Sequence, residues 1–126
     1  MDKAALVDID INRGSQILTA LDNAGLKIRV ALWIFTSEYE DWRLVLSSPN
    51  FVDRTLQNRR RVNEALDAAN VPAERVPPTL LMRSSNPFIK DLRRIFGKAR
   101  HIEGMRLGPQ MIGDRWVEDA YVYRIT

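Results

Sequence analysis

The chain reads as a single α+β domain, residues 1–126, in which three helices pack on a mixed five-stranded sheet. Three observations predict this. Short apolar runs alternate with period two, as strands do. Three longer segments carry apolar residues at helical spacing. Near each end of the chain, two runs double back through a turn. The hairpins require antiparallel pairing, and the helical crossovers between strands require some parallel pairing. Strand order is not fixed by these patterns.

The first helix is expected from about Ile9 to Ala24. Asp8 or Asp10 suits its N-cap, because a short carboxylate accepts the free amide hydrogens of the first turn. Gly14, Ile17, Leu18, Leu21 and Ala24 form its apolar stripe, and Gly25 stands where a left-handed residue ends a helix. Next comes Ile28 to Ser48, the stretch around which the chain is organised. Its first strand has Ile28, Val30, Leu32 and Ile34 on one side and Arg29, Ala31, Trp33 and Phe35 on the other. Apolar residues on both faces predict a central strand covered on both sides. The return strand, Trp42 to Ser47, alternates less evenly and is expected to be more peripheral, with one wetter face. In register, Trp42 should lie near Phe35 or Trp33 across the ladder.

A second helix is expected from Val52 to Ala69, with Val52, Leu56, Val62, Leu66 and Ala69 facing inward. Asn70 takes the left-handed closing position, and Pro72 prevents continuation. After the proline-rich loop Val71–Pro78, Thr79 to Arg83 reads as a short buried strand. Asn86-Pro87 is the clearest local signal in the chain: an N-cap followed by a proline whose missing N–H would lack a helical partner anyway. That third helix should reach Phe96, bury Phe88, Ile89, Leu92, Ile95 and Phe96, and close at Gly97. The tail reads as one long hairpin turning at Ile112–Arg115, with Gly108-Pro109 marking a bulge or an edge in its first arm. Tyr121, Tyr123 and Ile125 are expected to share the core-facing side of the last strand.

Composition excludes several classes of function. There is no cysteine, so disulfides, thiolate metal sites and a cysteine nucleophile are excluded, and a reducing compartment fits. No apolar run is long enough to span a membrane, and the acidic start (Asp2, Asp8, Asp10) is unlike a signal peptide. These features predict a cytoplasmic protein with no membrane role. No phosphate-binding loop, nucleophile elbow, dinucleotide glycine pattern or H-E-x-x-H is present. No cofactor and no metal site is expected.

The net charge of +3 is unevenly distributed. Residues 1–50 carry 5 basic and 7 acidic side chains, and residues 51–126 carry 14 and 9. Lys90, Arg93, Arg94, Lys98 and Arg100 cluster on and just beyond the third helix. Arg59, Arg60 and Arg61 would extend that face if the second and third helices were neighbours. Such a surface suits phosphates, with affinity that falls steeply with salt. In the first hairpin loop, Glu38, Tyr39 and Glu40 set an aromatic among acids, a composition that suits a basic protein partner. His101 is the chain's single histidine and lies near Glu103, which raises general-base chemistry as an idea. Glu118 and Asp119 raise a magnesium-dependent nuclease, although adjacent strand residues point to opposite faces. W-R-L-V-L-S-S-P (residues 42–49) and E-D-A-Y-V-Y-R-I (residues 118–125) look like segments of small bacterial proteins, and no activity attaches to the likeness.

The leading expectation is therefore a small non-enzymatic interaction or regulatory module that engages a protein partner or itself. A nucleic-acid-binding protein is the alternative, and a metal-dependent nuclease-like enzyme the second alternative.

Overall fold

A computed structural model describes residues 6, 8–36, 38, 40–99 and 101–126. It contains helices α1 (Asp8–Asn23), α2 (Thr55–Ala68) and α3 (Pro87–Phe96). The strands are β1 (Val30–Thr36), β2 (Asp41–Ser48), β3 (Thr79–Arg83), β4 (Arg106–Leu107), β5 (Gln110–Ile112), β6 (Arg115–Val117) and β7 (Asp119–Ile125). A five-stranded mixed sheet runs in the order β3-β2-β1-β7-β4, and β5 and β6 form a separate two-stranded ribbon. Only the β2–β3 pair is parallel, and the chain between them passes through α2.

The central position of β1 follows from its side chains. Val30, Leu32 and Ile34 point to one face and Ala31, Trp33 and Phe35 to the other, and all six are buried. The first face meets α3 (Phe88, Ile89, Leu92) and the ribbon (Ile112, Val117). The second meets α1 (Ile17, Leu18, Leu21) and α2 (Val62, Ala65, Leu66). Two apolar clusters thus sandwich the sheet, with α1 and α2 on one side and α3 and the ribbon on the other.

Local signals held where the backbone itself decides. Gly25 and Asn70 adopt the left-handed conformation, at φ 84° and 59°. The Asn86 side chain accepts from the Phe88 N–H at 2.9 Å, with Pro87 in the first helical turn. Phe35 lies opposite Trp42, their rings edge-on at 5.7 Å.

Three expectations are corrected. First, β2 is not peripheral: Trp42 and Leu44 through Ser48 are all buried, because β2 lies between β1 and β3. Second, α2 starts at Thr55 and buries Asn58, Val62, Ala65 and Leu66, leaving Val52 and Leu56 outside. Asn58 was not readable as a core residue because its value lies in its carboxamide. That group accepts from the Val52 N–H at 2.9 Å and donates to the Val52 C=O at 2.8 Å, completing a backbone that has no strand partner there. Third, the tail is not one hairpin. Gly108-Pro109 interrupts one arm and Glu118 the other, so the distal half folds off as the β5–β6 ribbon while β4 pairs with β7.

The β7 face assignment also changes. Register slips between Ala31 and Leu32, which face Arg124 and Val122, so Tyr123 is the extra residue of a bulge. Ala120, Val122 and Ile125 join the α3 side, whereas Tyr121 and Tyr123 pack on the α1 side. Tyr123 Oη accepts from Trp33 Nε1 at 2.9 Å and donates to the Ile11 C=O at 2.6 Å. Helix α1 comes this close because residue 14 has no side chain: a Cβ there would stand 2.2 Å from Tyr123 Oη.

Two outcomes check this packing by chemical denaturation. A glycine-to-alanine change inside a helix ordinarily gains about 1 kcal/mol. Gly14→Ala should instead lose about 1–3 kcal/mol through overpacking against Tyr123. Asn58→Ala should lose about 1–3 kcal/mol, because the Val52 peptide groups are left unpaired beside the core.

Candidate functional site

The cations of the second half do not converge. Helix α2 lies on one side of the sheet and α3 on the other, so Arg59, Arg60 and Arg61 cannot extend the face formed by Lys90, Arg93, Arg94 and Lys98. Several are also engaged internally. The Arg59 guanidinium is bound to the Thr79 side chain and carbonyl. Arg61 donates to the Asn50 carbonyl at 2.9 Å, and Arg93 donates to a backbone oxygen of Thr126 at 2.8 Å. Arg94 pairs with Asp91 at 3.2 Å on the helix surface. Lys90 is exposed on α3, Lys98 is exposed in the turn just beyond it, and Arg60 is exposed on α2. Arg100 lies outside the described residues.

In the first hairpin loop, Glu38 and Glu40 are exposed, with Glu40 left-handed at φ 54°. Tyr39 lies outside the described residues. Glu118 occupies the break between β6 and β7. Asp119 pairs with Arg106 at 3.2 Å and accepts from the Ala120 N–H at 2.8 Å. Among the described residues, no group of three or more His, Asp or Glu side chains is placed to hold a metal ion, and no helix is long and apolar enough to cross a membrane.

His101 borders an open cleft of about 670 Å³ between α1, the loop at His101–Glu103 and the end of β7. Its rim carries Ser15, Thr19, Asp22, Glu103 and Arg124. Arg124 makes a bidentate pair with Asp22 at 2.9 and 3.0 Å and also donates to the Ile28 carbonyl at 2.8 Å. Its pKa is raised, first by the Asp22 hydrogen bonds. The guanidinium therefore ties β7 to the end of α1 and is not held free for a ligand. His101 itself has a left-handed backbone, at φ 62°.

The surface that sequence reasoning missed is the ribbon. Ile112 and Val117 are fully buried beneath it, and Arg115 lies over the Phe88 ring at 5.1 Å. The turn is pressed against α3: a Cβ on Gly113 would meet Asp91 Oδ2 at 1.9 Å. With the underside fixed, Met111 and Trp116 face each other across the ladder and point outward, 53% and 48% exposed. Ile95, also exposed, lies on the Asp91 flank of α3 one turn further along, beside Arg94 and Lys98. The signal that could have revealed this is the pairing of two breakers. Gly108-Pro109 and Gly113 bound an arm too short to continue the main sheet, and a ribbon this short can bury only one of its faces.

Searches of protein-family models, of curated proteins and of solved structures find no match to this chain.

Tyr123 provides a pH test of the α1 contact. Burial pushes its phenol up to about 12, from an ordinary value of 10.0. The folded state thus holds the proton more tightly than the unfolded state does. Stability from this site is complete below pH 10 and is lost as pH rises through about 12. Denaturation midpoints should fall across that window, and Tyr123→Phe should flatten the fall. An equal slope in the variant would assign the loss elsewhere.

Proposed function

We propose that this chain is a non-enzymatic interaction module that binds a protein partner through the outer face of the β5–β6 ribbon. The observation that carries this reading is the Met111–Trp116 pair. Tryptophan and methionine are enriched at the centres of protein interfaces and are costly to leave in water. Here both project from a ribbon whose other face is anchored, so the pair is presented rigidly and loses little conformational entropy on binding. Ile95 extends the apolar area, and Arg94 and Lys98 give it a cationic rim. A complementary partner would offer an apolar segment flanked by carboxylates.

A second reading keeps one observation in its favour. Lys90 and Arg94 on α3 and Lys98 just beyond it are exposed without α2 contributing, which allows weak, sequence-independent contact with nucleic acid.

The two readings separate in one experiment. The chain is used as bait in quantitative pull-downs beside Met111→Ser/Trp116→Ser and Lys90→Glu/Lys98→Glu variants, with nuclease treatment as a further arm. Any protein lost with the ribbon variant is then titrated directly. The expected result is a nuclease-resistant protein whose affinity drops at least about tenfold in the ribbon variant. Binding that disappears with nuclease and with the lysine variant, but survives the ribbon variant, would establish the nucleic-acid reading instead.

A further inference from the structure

The two edges of the main sheet are treated differently. At one edge, β4 is two residues long and carries Arg106, paired with Asp119. Short strands and charges are the ordinary protection against edge-to-edge pairing. At the other edge, β3 is five residues, TLLMR, with its one charge at the end. Leu80 and Met82 pack partly on the α3 side, Leu81 partly on the α2 side, and all three remain partly accessible.

The peptide groups facing away from the sheet can be identified. The Leu44 N–H donates to the Pro78 carbonyl. Parallel alternation then turns the peptide groups of Leu80 and Met82 towards β2, and those of Thr79, Leu81 and Arg83 away from it. The Thr79 carbonyl is taken by Arg59 and the Arg83 carbonyl by the Asn86 N–H. Leu81, at the centre, turns both its N–H and its C=O to the open side.

Helix α2 supplies a matching apolar residue. Asp53, just before the helix, pairs with Arg83 at 2.6 Å, and Arg59 reaches Thr79. Helix α2 therefore runs antiparallel to β3, with Leu56 midway between these anchors and level with Leu81. Leu56 is 83% exposed, and nothing among the described residues accounts for a leucine there.

We infer that β3 pairs antiparallel with β3 of a second copy of this chain, on a two-fold axis through Leu81, with Leu56 meeting Leu56 of the other copy. Two features select a second copy over any other strand. The five-residue strand is centred on the one residue with both peptide groups free, so a two-fold there makes two reciprocal hydrogen bonds. The same axis brings α2 antiparallel to its counterpart, placing Leu56 against itself.

Sedimentation velocity, run from low micromolar to sub-millimolar concentration, tests this. The wild-type chain should show a concentration-dependent dimer. Leu56→Lys should raise the dimer dissociation constant about a hundredfold, since two leucines leave the interface and two cations take their places. Its far-UV spectrum should not change, because Leu56 contributes nothing to the core. The chain has no cysteine of its own, so Leu56→Cys should cross-link through a short bis-maleimide, and Lys98→Cys, on the opposite side of the sheet, should not. A Trp116→Ser variant should dimerise normally, which keeps this inference separable from the ribbon's role. A monomer at every concentration, a dimer indifferent to Leu56→Lys, or equal cross-linking from both cysteine variants would each overturn it.

Discussion

Val30 to Phe35 form a strand with no wet face and no free edge, and the Trp33 indole N–H is the only polar side-chain atom along it. Burying that donor without a partner would cost on the order of 1–3 kcal/mol. Tyr123 supplies the acceptor, and its own hydroxyl proton goes to the Ile11 carbonyl at the start of α1. The bulge in β7 sets Tyr123 and Arg124 together on the α1 side, so the phenol and the Arg124–Asp22 pair hold the two ends of α1. Gly14 is the position that makes the close approach possible. One buried indole thus accounts for a tyrosine, a bulge, a glycine and the seating of a helix.

What could be read from sequence divides along the same physical line. Asn86-Pro87, Gly25 and Asn70 act on their own backbone, so their meaning is local and they were legible. The two-sided burial of β1 was legible because six consecutive apolar residues admit little else. The standing of β2 was not, since Arg43, Ser47 and Ser48 suggest a wetter strand and only the parallel partner β3, arriving after a helix, encloses it. Leu56 misled in the opposite sense: helical periodicity counts it inward, whereas the side of α2 that meets the sheet is set by Asn58, whose task is to complete the Val52 backbone.

The basic residues show why charge counts translate poorly into sites. Arg59, Arg61 and Arg93 each donate to a backbone oxygen distant in sequence. A guanidinium with several donors can tie loops and strand ends together as readily as it can bind phosphate. Sequence clustering also ignores the sheet, which separates α2 from α3. Of the α3 cluster, Lys90, Arg94 and Lys98 stay exposed on the helix and just beyond it, on the side of the sheet that carries the apolar ribbon.

The two exposed apolar features lie on opposite sides of the sheet, and this affects how they can work together. Leu56 and the β3 edge face away from the ribbon, so pairing through β3 leaves Met111 and Trp116 uncovered. A two-fold axis normal to the sheet would carry both ribbons to the same side of a continuous ten-stranded sheet. On the two proposals together, two identical sites facing one way would bind a repetitive or dimeric partner as a bivalent clamp, with the second contact made at an effective concentration set by the sheet's rigid spacing. A ribbon only three residues long on each arm offers a small contact area. Doubling it through the β3 edge would allow a modest surface to act as a specific one.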